Sequence, residues 1–165
     1  MDKKFKFFKK NLTLLDLGSS PGGWSQVAVK KIENGKILAV DIKPMNKISN
    51  VEFINGDFCK TEIVKKIMAY FNNKVDVVLS DMAVNTTGNK DLDSIYTGEL
   101  CMEAMIFSKK ILNNDGKFIS KIFMGSTFKE IITEAKLIFK EVKVFKPKSS
   151  RKDSKESFII CKNLR

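Results

Sequence analysis

Leu14-Leu15-Asp16-Leu17-Gly18-Ser19-Ser20-Pro21-Gly22-Gly23-Trp24 is an apolar strand-like run that breaks into a glycine-rich turn and restarts at helical spacing. Such a strand, turn and helix unit is the first step of an open α/β sheet, where ligands settle outside the carboxyl ends of the strands. The glycines let a ligand come close to the backbone, and the start of the following helix offers unbonded N–H groups. Two phosphate-binding readings fail on spacing. Gly18, Gly22 and Gly23 do not form G-x-G-x-x-G, and no Lys-Ser or Lys-Thr follows them as in a P-loop. A ligand gripped here is held by something other than a phosphate cradle.

Outward from this turn, strand-like runs alternate with helical ones. The expected strands are 12–17, 36–42, 51–55, 75–80, 117–123, 142–145 and 158–161. Helical periodicity fills 24–32, 61–71, 100–112 and 127–139, as Ile63, Ile67, Tyr70 and Phe71 illustrate. The alternation predicts an α/β fold with a mostly parallel seven-stranded sheet and helices on both faces. Only a polar stretch beginning at Lys146 separates the last two strands, so the final strand is expected to run antiparallel. Residues 1–165 read as one domain, with no repeat or linker.

Composition narrows the chemistry. The chain carries 30 basic and 19 acidic groups, a formal charge of +11, and no histidine. Ser-His and Cys-His nucleophile pairs are thereby excluded, along with the commonest transition-metal ligand. The positive field favours polyanionic partners such as RNA. Cys59, Cys101 and Cys161 are odd in number and widely spaced, which suggests neither disulfides nor a metal site and fits a reducing, intracellular compartment, cytoplasmic or mitochondrial. No apolar run is long enough to span a bilayer, and no membrane partner is expected.

Carboxylates recur at successive strand ends. Asp41 closes the second strand, where it suits the two hydroxyls of a ribose, and Asp57 follows the third, where it suits an exocyclic amino group of a base. A ligand with a ribose and a base but no phosphate cradle matches S-adenosylmethionine, with Asp16 near its amino group. Taken singly, each of these residues also reads as a turn former or cap, and Trp24 equally as a residue packing the helix onto the sheet. Their repetition at consecutive strand ends favours the ligand site.

Asp16-Leu17-Gly18 through Pro21-Gly22-Gly23-Trp24-Ser25-Gln26, Asp41-Ile42-Lys43-Pro44-Met45, Gly56-Asp57-Phe58, Leu79-Ser80-Asp81-Met82-Ala83 and Ser150 to Glu156 together resemble the FtsJ/RrmJ family of RNA ribose 2′-O-methyltransferases. The motifs stand in family order over nearly the whole chain, and Ser80 to Gly88 looks most like the large-subunit ribosomal RNA branch. Val84 departs from an expected proline. The resemblance implies a Rossmann-like methyltransferase fold and 2′-O-methylation of a large-subunit ribosomal RNA nucleotide, a uridine, with S-adenosylhomocysteine as product. It implies a cofactor site of Asp16, Gly18, Ser20, Pro21, Gly22, Gly23 and Trp24 from the first turn, with Asp41, Ile42, Asp57, Phe58 and Asp81 from later strand ends. The large ribosomal subunit is the expected partner, and the enzyme is expected to be monomeric and metal-free.

An alkyl hydroxyl is almost wholly protonated near neutral pH, so its attack on a methyl group needs a positioned base or charge. Lys121, inside the apolar run Ile119 to Phe123, is the candidate. It serves either as a base whose ammonium form burial disfavours, or as a cation that orients the hydroxyl while Asp81 steers it and Glu156 organises the site. The resemblance assigns catalytic roles to Asp81, Lys121 and Glu156 without choosing between these. It also implies a further lysine on an N-terminal helix. Only fifteen residues precede Asp16, so this chain is expected to lack that helix. Lys9 and Lys10 near the start, and Lys148, Arg151 and Lys152 near the end, are expected to flank the strand tips and grip RNA phosphates. The competing reading is a basic RNA-binding or ribosome-assembly module that has a cofactor pocket but an incomplete catalytic set. A nicotinamide-dependent dehydrogenase is disfavoured by the glycine spacing.

Overall fold

The computed structural model describes residues 6–72, 74–83, 87–147 and 156–165. Seven strands, β1 (Thr13–Leu17), β2 (Lys36–Asp41), β3 (Glu52–Asn55), β4 (Val75–Ser80), β5 (Leu112–Phe123), β6 (Phe139–Phe145) and β7 (Glu156–Leu164), form one sheet in the order β3-β2-β1-β4-β5-β7-β6. The first five run parallel to one another, and β7 runs antiparallel between β5 and β6. The helices among the described residues are α1 (Gly23–Val29), α2 (Thr61–Phe71), α3 (Lys90–Ile111) and α4 (Phe128–Ile138).

The central strands are covered on both sides, which is why β1 and β4 read as continuous apolar runs rather than alternating ones. On one face Leu15, Leu17, Val40 and Val78 meet Ile63, Ile67 and Phe71 of α2, Ala104 and Met105 of α3, and Ile131 and Ala135 of α4. On the other, Leu14, Ile37, Val77 and Ile119 meet Ala28 of α1, Ile32 and Phe7. Phe7 is thus a core residue, and residues 6–12 form no helix. Lys117 fastens this segment by donating from Nζ to the Lys6 carbonyl at 3.3 Å.

Three elements start three or more residues earlier than the sequence reading places them. α3 starts at Lys90 rather than at residue 100. Asn89 caps it by accepting from the Asp91 and Leu92 amides, and Asp91 and Asp93 suit its positive end. The buried side of its first turns consists of Ser94, Thr97 and Gly98 instead of apolar residues, so no hydrophobic period announces it. β5 starts at Leu112, where an irregularity between Val75 and Val77 absorbs the register shift against β4. β6 starts at Phe139, directly where α4 ends.

Candidate active site

The end of β1 is pinned from both sides. The Gly18 amide donates to the Val40 carbonyl at 2.9 Å, and the Asp81 amide donates to the Leu17 carbonyl at 2.9 Å. Gly18 has φ +73°, and a Cβ there would stand 2.7 Å from the Met82 nitrogen. Only glycine meets both demands. Gly22, at φ +110°, lies under Met45 and Ile48 of the segment after β2 and opens α1. Ser20 ties the same two segments, donating from its hydroxyl to the Pro44 carbonyl and from its amide to Asp41.

Three carboxylates surround this turn. Asp41 is half-buried and oriented by two amides, Ser20 N donating to Oδ2 at 2.9 Å and Lys43 N to Oδ1 at 2.7 Å. Each oxygen retains a second lone pair for a ligand hydroxyl. Asp57 accepts the Cys59 amide at 2.9 Å, which fixes its side chain beside the end of β3. Asp16 is wholly buried beneath the turn. Its Oδ2 accepts the Ser25 hydroxyl at 2.6 Å, whereas Oδ1 has no partner among the described residues. Burial raises its pKa to about 7, reinforced by Asp81 and Asp41 and opposed by the Ser25 hydrogen bond.

Across β1 stands an ion pair. Lys121 of β5 places Nζ 2.8 Å from Asp81 Oδ1 and 3.4 Å from the Asp81 carbonyl, with the lysine side chain only 13% exposed. β7 sets Phe158 opposite Lys121 and Glu156 opposite Phe123. Glu156 therefore lies on the same sheet face as Lys121, one diagonal step along the ladder. Trp24 packs against Phe158 with ring centroids 5.6 Å apart.

A cavity of about 510 Å³ opens over the tips of these strands. Of the residues expected at the site, Gly18, Ser20, Asp41, Ile42, Asp57, Phe58, Asp81 and Lys121 line it. Asp16, Pro21, Gly22, Gly23, Trp24 and Glu156 do not. Asp16 sits below the floor, and Gly22 lies under the segment after β2. Cys59 and Leu100 are among the further lining residues, and neither was expected at the site from the sequence. Leu100 belongs to the stretch of α3 that brings that helix over the strand tips, and Cys59 is held by donating Sγ to Glu103 of α3 at 2.9 Å. Partial burial, and then that carboxylate, push the thiol up to about 12.

The basic residues separate. Lys9 and Lys10 stand at the amino ends of the strands, away from the cavity, and Lys10 pairs with Glu33. They do not flank the strand tips as expected, because the segment before β1 must enter at the strand's amino end. Lys148, Arg151 and Lys152, like Val84, lie outside the described residues. Among the described residues no group of three or more Cys, Asp or Glu is placed to hold a metal ion, and no helix is long and apolar enough to cross a membrane.

A mostly parallel seven-stranded sheet with an antiparallel β7, carrying a carboxylate-ringed cavity at its strand tips, defines the Rossmann-like methyltransferase class. A family described as FtsJ-like methyltransferase matches residues 1–164, and the chain belongs to it. It is 59% identical over 165 residues to "Ribosomal RNA large subunit methyltransferase E" of Pelagibacter ubique, covering 100% of this chain and 81% of the relative. The protein of the same name from Wolbachia pipientis wMel is 47% identical over 161 residues, covering 97% of this chain and 82% of the relative. Among solved structures, a putative ribosomal RNA methyltransferase from Plasmodium falciparum superposes with TM-score 0.88 at 34% identity, covering 99% of this chain and 92% of that one.

Proposed function

We propose that the chain is a methyltransferase that uses S-adenosylmethionine to methylate a ribose 2′-hydroxyl of large-subunit ribosomal RNA, with a uridine as the target. The relatives named for the large subunit supply the substrate class. The single observation that carries the reaction is the Lys121 to Asp81 pair on the rim of the cavity that Asp41 and Asp57 line.

The residues present fit the cofactor. Asp41 has acceptor capacity for a ribose, Asp57 for a base amino group, and Asp16 retains a buried oxygen without a partner among the described residues. When bound, the cofactor supplies a sulfonium-activated methyl group. The protein's own part is to place and prepare the RNA hydroxyl. Asp81 fixes the Lys121 ammonium at 2.8 Å, so the lysine presents its remaining N–H donors from a defined position and orients the hydroxyl oxygen. Glu156, on the same sheet face one diagonal step along the ladder, adds a negative charge to this side of the site. The hydrophobic wall of Phe58, Met82 and Leu100 limits water around these charges, which strengthens them.

The test is methyl transfer from isotopically labelled S-adenosylmethionine to unmethylated large ribosomal subunits, followed by digestion and nucleoside mass spectrometry. A ribose-methylated uridine is the expected product. A methylated base, or a folded protein that binds the cofactor but leaves ribosomal RNA unmodified, overturns the reading.

A further inference from the structure

Ser25 is assigned no role by anything above, yet it makes the shortest buried side-chain contact to a carboxylate at the site. It lies on α1, is fully buried, and donates its hydroxyl to Asp16 Oδ2 at 2.6 Å. Asp16 faces Ala39 of β2 and Leu79 of β4 across the ladders, so no backbone neighbour offers its side chain a cation. The described charges acting on it are Asp41 at the end of β2 and Asp81 at the end of β4, both negative, and α1 carries no charged residue at all. The carboxylate thus keeps one oxygen bonded to Ser25 and one without a partner among the described residues. A buried acceptor left in this way costs stability unless a ligand or water satisfies it.

We propose that Ser25 is a positioning residue for cofactor binding: its hydrogen bond ties α1 to β1 and fixes the Asp16 carboxylate beneath the cavity floor, from where its negative charge attracts the ammonium of the cofactor's amino-acid moiety. The proposal rests on the methyltransferase reading and adds a residue and a protonation requirement to it. Because burial raises the Asp16 pKa to about 7 and the Ser25 bond opposes that rise, loss of Ser25 drives the carboxyl further towards its neutral form, which no longer attracts an ammonium above it.

The test is calorimetry with two probes, S-adenosylhomocysteine, which carries the ammonium, and adenosine, which lacks it, between about pH 5.5 and 8.5. In the wild-type protein, affinity for S-adenosylhomocysteine should rise with pH and level off above about 7, while that for adenosine stays flat. Ser25→Ala should bind S-adenosylhomocysteine about tenfold more weakly at neutral pH, with the midpoint of the rise moved to higher pH and adenosine binding within about twofold of wild type. Asp16→Asn, which keeps an acceptor for Ser25, should lose the pH dependence, and adding Ser25→Ala to it should leave the ratio of the two affinities unchanged. Equal losses for both probes, or a midpoint that does not move, overturn the positioning role and leave the methyltransferase reading standing. If Ser25→Ala does not fold, a wild-type pH profile in Asp16→Asn overturns it. Failure of the wild-type protein to bind either probe sinks both.

Discussion

Replacing Asp41 tests the nucleoside pocket, and the structure shows that the change has two separable consequences. Its carboxylate accepts the Ser20 amide at 2.9 Å and the Lys43 amide at 2.7 Å, joining the glycine-rich turn to the segment after β2. Asp41→Ala removes both bonds. Because the site is half-buried, water replaces part of the loss, and about 1 to 3 kcal/mol is expected, toward the low end for two charge-assisted bonds. For a chain of this length that lowers Tm by roughly 2 to 4 °C per kcal/mol. Loss of the charged acceptor for the ribose hydroxyls should separately weaken S-adenosylhomocysteine by at least about tenfold. Asp41→Asn divides the two effects differently. One amide still finds an oxygen while the other meets a second donor, so stability falls less than with alanine and affinity still drops. The assay is calorimetric titration well below the Tm of each variant, with circular dichroism to establish folding. A folded Asp41→Ala protein that binds with unchanged affinity refutes the assignment of this carboxylate to the ribose.

Lys121→Ala should reduce methyl transfer to background in single-turnover assays while holding cofactor affinity within about fivefold, because its partner is Asp81 and its task is the RNA hydroxyl. Substantial residual turnover removes Lys121 from the mechanism. Gly18→Ala should destabilise the protein by about 1 to 3 kcal/mol in denaturant titration, since φ +73° disfavours a side chain and its Cβ would press on the Met82 backbone. Asp16 should also leave a signature in stability. Its folded pKa is raised from 3.8 to about 7, so its contribution is fully present below 3.8 and is lost as pH rises towards about 7. Wild-type stability measured relative to Asp16→Asn should accordingly decline from about pH 4 to about pH 7 and then stay level, and a flat difference contradicts the burial of this carboxyl.

Local signals in the chain announced much of this. The run from Leu14 to Trp24 reads as strand, turn and helix because its apolar block, glycines and helical period are contiguous, and Asp41 and Asp57 are found by looking where the next strands stop. Signals fail where packing uses small or polar residues. The first turns of α3 bury Ser94, Thr97 and Gly98, which carry no hydrophobic period, and that half of the helix is therefore invisible in the sequence although it leads into Leu100 at the cavity wall.

By itself the sequence determined the strand ends at which chemistry can occur, the family and the reactive residue types, since these depend on neighbours along the chain. Only the tertiary structure decided which distant groups meet. Lys121 reaches Asp81 because β5 lies beside β4 with Ser120 in register with Ser80. Asp16 falls below the cavity floor because α1 packs over it and offers Ser25. Lys9 and Lys10, similar in composition to any other basic pair, end up at the amino ends of the strands because β1 must be entered there. Charge is a property of the residue, but what that charge touches is set by sheet order and register, which no local pattern encodes.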